Sequence, residues 1–262
     1  VKALRSAIAQ GQPMHVAFTK DVWYQTVEQP VRLPEPYLQT LPQSPAGVIE
    51  QALSFLNEAE RPAILAGRGI SRHGPLLLEL AEKWQSGIAL TMPAKGAVPG
   101  NHPLVLGGLG EGGSEAVTKM LAEADLLLIA GATWWPELYL PDQLKIIQVD
   151  AVPENIGGQI PVNFGVVGDL GVLLPRFRDG LAVKDKPAWR NRLQELKTAW
   201  LKKIEPEWTG AGSPIPPGLV IKAVEKVIAP DAIICLDVGD HAVWFNRLFA
   251  GASQQVLVSG NW

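Results

Sequence analysis

Short apolar runs alternate with helical stripes of apolar residues between positions 46 and 180. The apolar runs at 62–66, 88–91, 125–130 and 145–149 predict buried strands. Apolar residues recur every three or four positions from Val48 to Leu56, and 76–84 and 114–124 also have helical length and spacing. Strands that alternate with helices at these lengths predict an α/β fold with a parallel, Rossmann-like sheet and helices on both faces.

The pattern changes after residue 182. Trp189, Leu193, Leu196, Trp200 and Ile204 form an apolar stripe on a charged background, which predicts one amphipathic helix within 183–209. A Gly- and Pro-rich loop at 210–217 precedes a second α/β unit, with a helix near 219–227 and a strand at 231–236. That half-unit is too small to bury its own apolar face, so we expect it to be either poorly ordered or packed against another surface, including another copy of the chain.

The first 45 residues carry weaker signals. Residues 2–10 fit a short helix and 13–18 a strand, while 19–45 contains five prolines and reads as an extended linker. Ser44-Pro45 predicts an N-cap followed by proline at the first helical position. The chain begins without methionine and ends on a strand-like pattern, so we expect a piece of a longer polypeptide; the alternative is a last strand that pairs internally.

Composition excludes several classes of protein. Of 262 residues, 47% are hydrophobic and 19% charged, which excludes a disordered chain, and the net charge of −3 supplies no basic field for nucleic acid. One cysteine, Cys235, excludes disulfides and cysteine-built metal sites; its apolar neighbours predict that it is buried and inert. No apolar stretch reaches the roughly 18 residues of a membrane span, so we expect a soluble, cytoplasmic protein.

Two glycine-rich turns follow predicted strands. Gly67-Arg68-Gly69 ends the first strand, and 108–113 matches G-x-G-x-x-G before a helix. Such turns let backbone amides approach a phosphate, but a tight turn without a ligand explains either one equally well. Lys95 suits a pyrophosphate or a solvated loop, and Asp150 suits a ribose hydroxyl or a capped turn before Pro153.

The last predicted strand ends at Asp237-Val238-Gly239-Asp240-His241, where an acid and a glycine suit a phosphate or metal-phosphate ligand. The four histidines have no metal-ligand spacing. Neither a G-x-S-x-G elbow nor a Walker loop occurs, which disfavours a serine hydrolase and a P-loop NTPase.

Together these motifs resemble the thiamine-diphosphate-dependent enzymes along essentially the whole chain. The run from Arg61 to Gly69, the run Pro93-Ala94-Lys95-Gly96 with the following His102-Pro103, and the segments 124–128, 145–150 and 167–169 resemble that family's middle domain. Residues 230–240 resemble the start of its C-terminal, diphosphate-binding domain. The match is most like pyruvate oxidases, with acetolactate synthases next.

The resemblance implies a domain plan. It divides the chain into the end of a pyrimidine-binding domain at 1–22, a linker at 23–45, a central domain at 46–182, a linker helix at 183–210 and the start of a diphosphate-binding domain at 211–262. The family's activating glutamate domain and its Gly-Asp-Gly motif for Mg²⁺ are absent from this sequence. The resemblance therefore places no catalytic residue and no metal ligand here, and implies that this chain alone is inactive.

The resemblance also implies cofactors and partners. The whole enzyme would use thiamine diphosphate and Mg²⁺ on pyruvate or another 2-keto acid, as a dimer or tetramer, with FAD in the central domain. The implied FAD contacts are Gly67, Gly69, Lys95, Gly108, Gly110, Thr133 and Asp150. The residues implied to face the thiamine diphosphate are Gly239, Asp240 and His241. Two further hypotheses stay open: a non-catalytic NAD- or ADP-binding module, and a structural domain without a ligand.

Overall fold

The computed structural model describes residues 3–4, 6–7, 13–28, 43–210 and 212–259. It divides the chain into two compact units, Val1–Pro42 and Gln43–Trp262. In the first unit, residues 3, 4, 6 and 7 are helical, as predicted, and the rest of that predicted helix lies outside the described residues. The predicted strand at 13–18 is wrong: those residues are exposed and pair with no other described strand. Of the predicted linker, 29–42 lies outside the described residues.

The second unit is built on a six-stranded sheet whose strands all run parallel. Their order across the sheet is β3-β2-β1-β4-β5-β6. The strands are β1 (Pro62–Ala66), β2 (Gly87–Leu90), β3 (Val105–Gly108), β4 (Leu126–Ala130), β5 (Lys145–Asp150) and β6 (Phe164–Val167). This arrangement confirms the predicted α/β class.

The central strands are continuous apolar runs because both faces of the sheet are covered. Successive side chains of a strand point to opposite faces. Ile64 of β1 therefore joins the core on one face, while Leu65 joins the core on the other. The same alternation places Leu128 and Ile129 of β4 in different cores, so each strand ties two helical layers together.

Four helices lie next to these six strands in the sequence. They are α1 (Ala46–Glu58), α2 (Gly74–Trp84), α3 (Glu115–Glu123) and α4 (Leu170–Gly180). The predicted N-cap at Ser44 is wrong: Pro45 takes that position, and no side chain caps the helix. The Ser44 hydroxyl instead accepts a hydrogen bond from the Val167 N–H at 2.9 Å, which fastens the start of α1 to β6.

The remaining elements form the C-terminal segment. They are α5 (Pro187–Ile204), the short α6 (Pro206–Thr209), α7 (Pro217–Val227), β7 (Ile233–Leu236), α8 (Asp240–Leu248) and β8 (Gln255–Val258). All five residues of the predicted stripe on α5 are buried. Strands β7 and β8 form a separate parallel pair. The prediction that Cys235 is buried is wrong, because it lies on the open face of this pair with the exposed Ile233 and Leu257.

No helix among the described residues combines the length and the apolar composition needed to cross a lipid bilayer.

The turns after β1 and β4 touch backbone to backbone. The Gly67 N–H donates to the Ala130 carbonyl and the Gly69 N–H to the Gly131 carbonyl, both at 2.9 Å. A Cβ at Gly67 would lie nearer than 3.0 Å to the Gly131 oxygen and to Ala132. Because Gly67 has a φ of −102°, it is required for its size and not for its backbone angle.

This contact predicts that Gly67→Ala lowers the free energy of unfolding by about 1–3 kcal/mol, the usual cost of overpacking a close contact. Gly47→Ala is the matched control, because a Cβ there meets no atom within 4 Å. In helix α1 that change should stabilise the protein by about 0.5–1 kcal/mol. Urea unfolding of both variants measures the difference, and equal midpoints would contradict the close contact.

Candidate functional site

The carboxyl ends of the six parallel strands meet along one edge of the sheet, which we call the carboxyl edge. The strand order reverses between β1 and β4. In open α/β sheets, ligands bind in the crevice outside such a reversal. Gly67 follows β1 and Gly131 follows β4, so the reversal lies where these two turns meet.

Three of the predicted FAD residues lie at this reversal. Gly67 and Gly69 border Gly131 and Ala132, and Thr133 follows directly and is exposed. Both glycine amides already donate to backbone carbonyls within the protein. The groups that face solvent here are therefore side chains, which include Thr133 and the exposed Arg68.

Asp150 lies at the end of β5, but its carboxylate closes its own turn. Its Oδ1 accepts hydrogen bonds from the Val152 N–H and the Asn155 Nδ2, both at 2.9 Å. The residue is buried. The Asp150 carboxylate therefore caps its own turn. This is one of the two roles that the sequence allowed for Asp150, the other being a contact with a ribose hydroxyl.

A buried glutamine that sequence reasoning missed supports the same region. The Gln148 Nε2 donates to the Asn155 carbonyl at 2.9 Å, and its Oε1 accepts from the Gly157 N–H at 2.8 Å. Gln148 also donates to the Ala132 carbonyl at 3.3 Å. A single polar residue inside an apolar strand was the signal that could have identified it.

The glycine-rich loop 108–113 receives helix α8. A Cβ on Gly108 would lie nearer than 3.0 Å to the Asn246 side chain, and a Cβ on Gly112 would collide with Val243. The Asn246 Nδ2 donates to the carbonyls of Leu109 and Glu111, both at 3.1 Å. Gly110, with a φ of +100°, faces Pro136. The loop that matches G-x-G-x-x-G therefore packs against helix α8.

Sequence reasoning also missed Asn246. It lies in α8, a helix that the sequence analysis did not predict, about 135 residues from the loop that it contacts. No local pattern near Asn246 marks the contact. Asn246 is almost fully buried, and its Oδ1 has no hydrogen-bond partner among the described residues.

Lys95 is buried, with 4% of its surface exposed. Its Nζ donates to the Phe249 carbonyl at 2.9 Å. Burial lowers the pKa of Lys95 to about 7, because the charged form loses its hydration. The Lys95 side chain therefore faces the C-terminal segment, as Gly108 does.

Gly239, Asp240 and His241 lie together at the start of α8, where the chain leaves β7. Gly239 has a φ of +134°, a backbone angle that favours glycine, and the His241 ring lies beside it. Asp240 and His241 are exposed. A helix N-terminus presents unpaired N–H groups and attracts anions. No three His, Cys, Asp or Glu residues cluster as metal ligands in the part of the chain that the structure describes.

Two surface cavities stand out, and neither contains a predicted site residue. A cavity of about 230 Å³ lies between α7 and the end of α8, bordered by Asn101, Glu225, Phe249 and Gln254. A shallower one of about 560 Å³ lies on the polar face of α5. Neither of these two cavities is therefore lined by the seven predicted FAD residues.

Comparison with known proteins identifies the domain that carries this sheet. Residues 49–177 match the family model of the thiamine pyrophosphate enzyme central domain. Over its whole length the chain is 30% identical to the Bacillus subtilis protein YdaP, whose name describes it as thiamine pyrophosphate-containing, and it covers 46% of that protein. It is 26% identical to sulfoacetaldehyde acetyltransferase of Roseovarius nubinhibens, over 92% of this chain and 44% of the relative.

A third relative is the large subunit of acetolactate synthase isozyme 1 from Escherichia coli, 29% identical over 81% of this chain and 38% of the relative. The chain thus spans less than half the length of these curated relatives. The family match covers β1 to β6 and their helices, which is the part of the chain that forms the six-stranded sheet. The chain therefore belongs to the thiamine-pyrophosphate-dependent enzyme family, of which it carries the central domain.

Proposed function

We propose that the chain is the central region of a thiamine-diphosphate-dependent enzyme that acts on pyruvate or another 2-keto acid. The observation that carries this proposal is the family match over 49–177. Relatives named acetolactate synthase and sulfoacetaldehyde acetyltransferase support an enzyme of this family. A pyruvate-oxidase-like decarboxylation is our first candidate, and an acetolactate-synthase-type ligation is the alternative.

The role that we assign to α8 is to present its N-terminus to thiamine diphosphate. Asp240 and His241 are exposed there and Gly239 is half-buried, and the N–H groups of the first turn suit a diphosphate. The cofactor, when bound, supplies the electron sink for the substrate. The contribution of this chain is to hold and orient α8, through Asn246 and Lys95. By the family resemblance, Mg²⁺ would be held by the rest of the diphosphate-binding domain, and the activating glutamate would come from the pyrimidine-binding domain.

For FAD, the described residues fit only part of the predicted site. Gly67, Gly69 and Thr133 border the strand-order reversal, and Arg68 adds an exposed positive charge next to them. Lys95, Gly108, Gly110 and Asp150 are occupied by protein contacts. We therefore propose that the ADP half of a dinucleotide docks at the reversal, and we assign no step to the flavin ring. A dimer or tetramer of the whole enzyme remains part of the proposal.

The first test is catalytic. The purified chain alone should release no carbon dioxide from pyruvate above background with thiamine diphosphate and Mg²⁺, because it spans less than half of its relatives. Carbon dioxide release that depends on both cofactors would show that this chain alone contains a complete active site. That result would contradict the assignment of part of the site to residues outside this chain. A full-length relative measured in parallel is the positive control.

The second test is ligand binding at the reversal. Saturation at a hundredfold excess over Kd stabilises a folded protein by about 2.7 kcal/mol, which corresponds to a rise of about 5–10 °C in melting temperature at this size. FAD and ADP should both raise the melting temperature, and a bound flavin should absorb between 350 and 500 nm. A response to NAD or ADP without any flavin absorbance would favour the non-catalytic nucleotide-binding module.

Arg68→Ala should weaken that response about tenfold in Kd, the scale of one exposed charge contact with a phosphate. Lys145→Ala is the matched control, since Lys145 is exposed at the start of β5, at the opposite edge of the sheet. Equal effects of the two changes, or no response to any nucleotide, would move the assignment to a structural central domain without a ligand.

A further inference from the structure

Lys95 lies in the middle of a contact that joins the central domain to the C-terminal segment. We call this contact the seam: it is formed by residues 92–100 and 108–113 on one side and 243–254 on the other. A Cβ at Gly96 would collide with the Gln254 carbonyl, and one at Gly100 with the Ala250 carbonyl. The Gly100 N–H also donates to the Ala250 carbonyl at 2.9 Å. The backbones are therefore in direct contact, and no water layer separates them.

Two lysines bind the last carbonyls of helix α8. Lys95 donates to the Phe249 carbonyl at 2.9 Å, and Lys222 donates to the Leu248 carbonyl at 2.8 Å. Both amines thus donate to carbonyls at the C-terminal end of the helix, where carbonyls have no partner within the helix. Lys222, however, has Glu225 as a salt-bridge partner at 2.6 Å, and the other oxygen of Glu225 accepts from the Ala250 N–H. The Glu225 carboxylate is thus already bound by Lys222 and by the Ala250 N–H.

Lys95 has one acceptor among the described residues, the Phe249 carbonyl. A neutral amine needs only that acceptor to keep its hydrogen bond at the seam. An ammonium carries three N–H donors, and leaving buried donors unpaired is costly. The charged form also loses hydration and is repelled by Lys222, while Glu225 attracts it.

We propose that Lys95 is a proton-sensitive positioning residue: its neutral amine fastens the end of α8 to the central domain, and its protonation loosens the seam. The charged groups that act on it are Glu225 and Lys222, both on α7; Gln254, which faces the same turn from the start of β8, is uncharged. The proposal concerns how the C-terminal segment is held, so it stands independently of which cofactor binds.

The direction of the pH effect follows from proton binding. Burial lowers the pKa of Lys95 to about 7, whereas an unfolded lysine titrates near its ordinary value of about 10.4. Between these values the unfolded state binds more protons than the folded state, so stability rises as pH rises. The gain approaches tenfold in the folding equilibrium constant for each pH unit, and below about pH 7 it is absent.

The test compares urea unfolding of the full chain and of Lys95→Met between pH 6 and 9.5. Methionine keeps an unbranched, buried side chain without a titrating group. From about pH 7.5 to 9.5 the folding equilibrium constant of the wild type should rise about a hundredfold relative to that of the variant. Lys197, whose pKa burial lowers to about 8, is present in both proteins, so its contribution cancels.

Lys226→Met is the matched control, because Lys226 is exposed on α7 beside the same seam. Its pH profile should run parallel to that of the wild type. Lys95→Arg keeps the charge and cannot lose it near neutral pH, so it should destabilise the seam over the whole range. Parallel profiles for wild type and Lys95→Met would overturn the proposal.

Two further measurements keep the proposal falsifiable if Lys95→Met fails to fold. In wild-type protein labelled with ¹³C at lysine Cε, the Lys95 signal, identified by its loss in Lys95→Arg, should titrate near pH 7. Titration near 10 would overturn the proposal. Hydrogen exchange, corrected for its intrinsic pH dependence, should lose more protection in 240–252 than in β4 between pH 8 and pH 6. Equal loss in both would show global unfolding and contradict a seam-specific effect.

Discussion

The placement of helix α8 depends on a contact between the Asn246 side-chain amide and the glycine-rich loop 108–113. Asn246 reaches the carbonyls of Leu109 and Glu111 because Gly108 presents no Cβ in its path. Gly112 makes the same room for Val243. If any larger residue replaced these glycines, α8 would have to move outward, and the start of α8 would lose its position relative to the sheet.

Apolar packing surrounds this polar contact. Leu248 belongs to the core beneath one face of the sheet, together with residues of α3 and α5. Phe245 and Phe249 stack with their ring centroids 4.4 Å apart and pack against Val256 of β8. Arg247 forms two hydrogen bonds to Glu207, at 2.6 and 2.5 Å, and lies over the Trp200 ring. The second α/β unit, which is too small to bury its own apolar face, therefore packs into the core of the central domain.

The sequence predicted the strands and helices that depend on local patterns of apolar residues. Strands β1 and β4 are unbroken apolar runs, and β5 is mostly apolar; each was predicted within one residue of its observed bounds. Strand β3 was missed, because two of its four residues are glycines and the turn pattern concealed it. Strand β6 was not predicted as a separate element either: it is four residues long and one of them is glycine.

The roles of the site residues were harder to predict, because they depend on partners that are distant in sequence. Glycines next to a strand end look alike whether they admit a phosphate or a helix, and the partner of Gly108 lies more than 130 residues away. The role of Lys95 likewise depends on a distant partner, because its amine donates to the carbonyl of Phe249, 154 positions later. The apolar setting of Cys235 was also misleading, because β7 and β8 form a pair with an open face.

Because helix α8 shares a core with the six-stranded sheet, we expect the two to unfold as one cooperative unit. Fluorine NMR of protein labelled with 5-fluorotryptophan tests this most directly, with Trp244 reporting on α8 and Trp84 on the core of the sheet. Each resonance is assigned by a single Trp→Phe change. The account predicts that both native signals disappear at the same urea concentration near pH 8. Loss of the Trp244 signal at a clearly lower concentration would show that α8 is held independently, and would contradict the account.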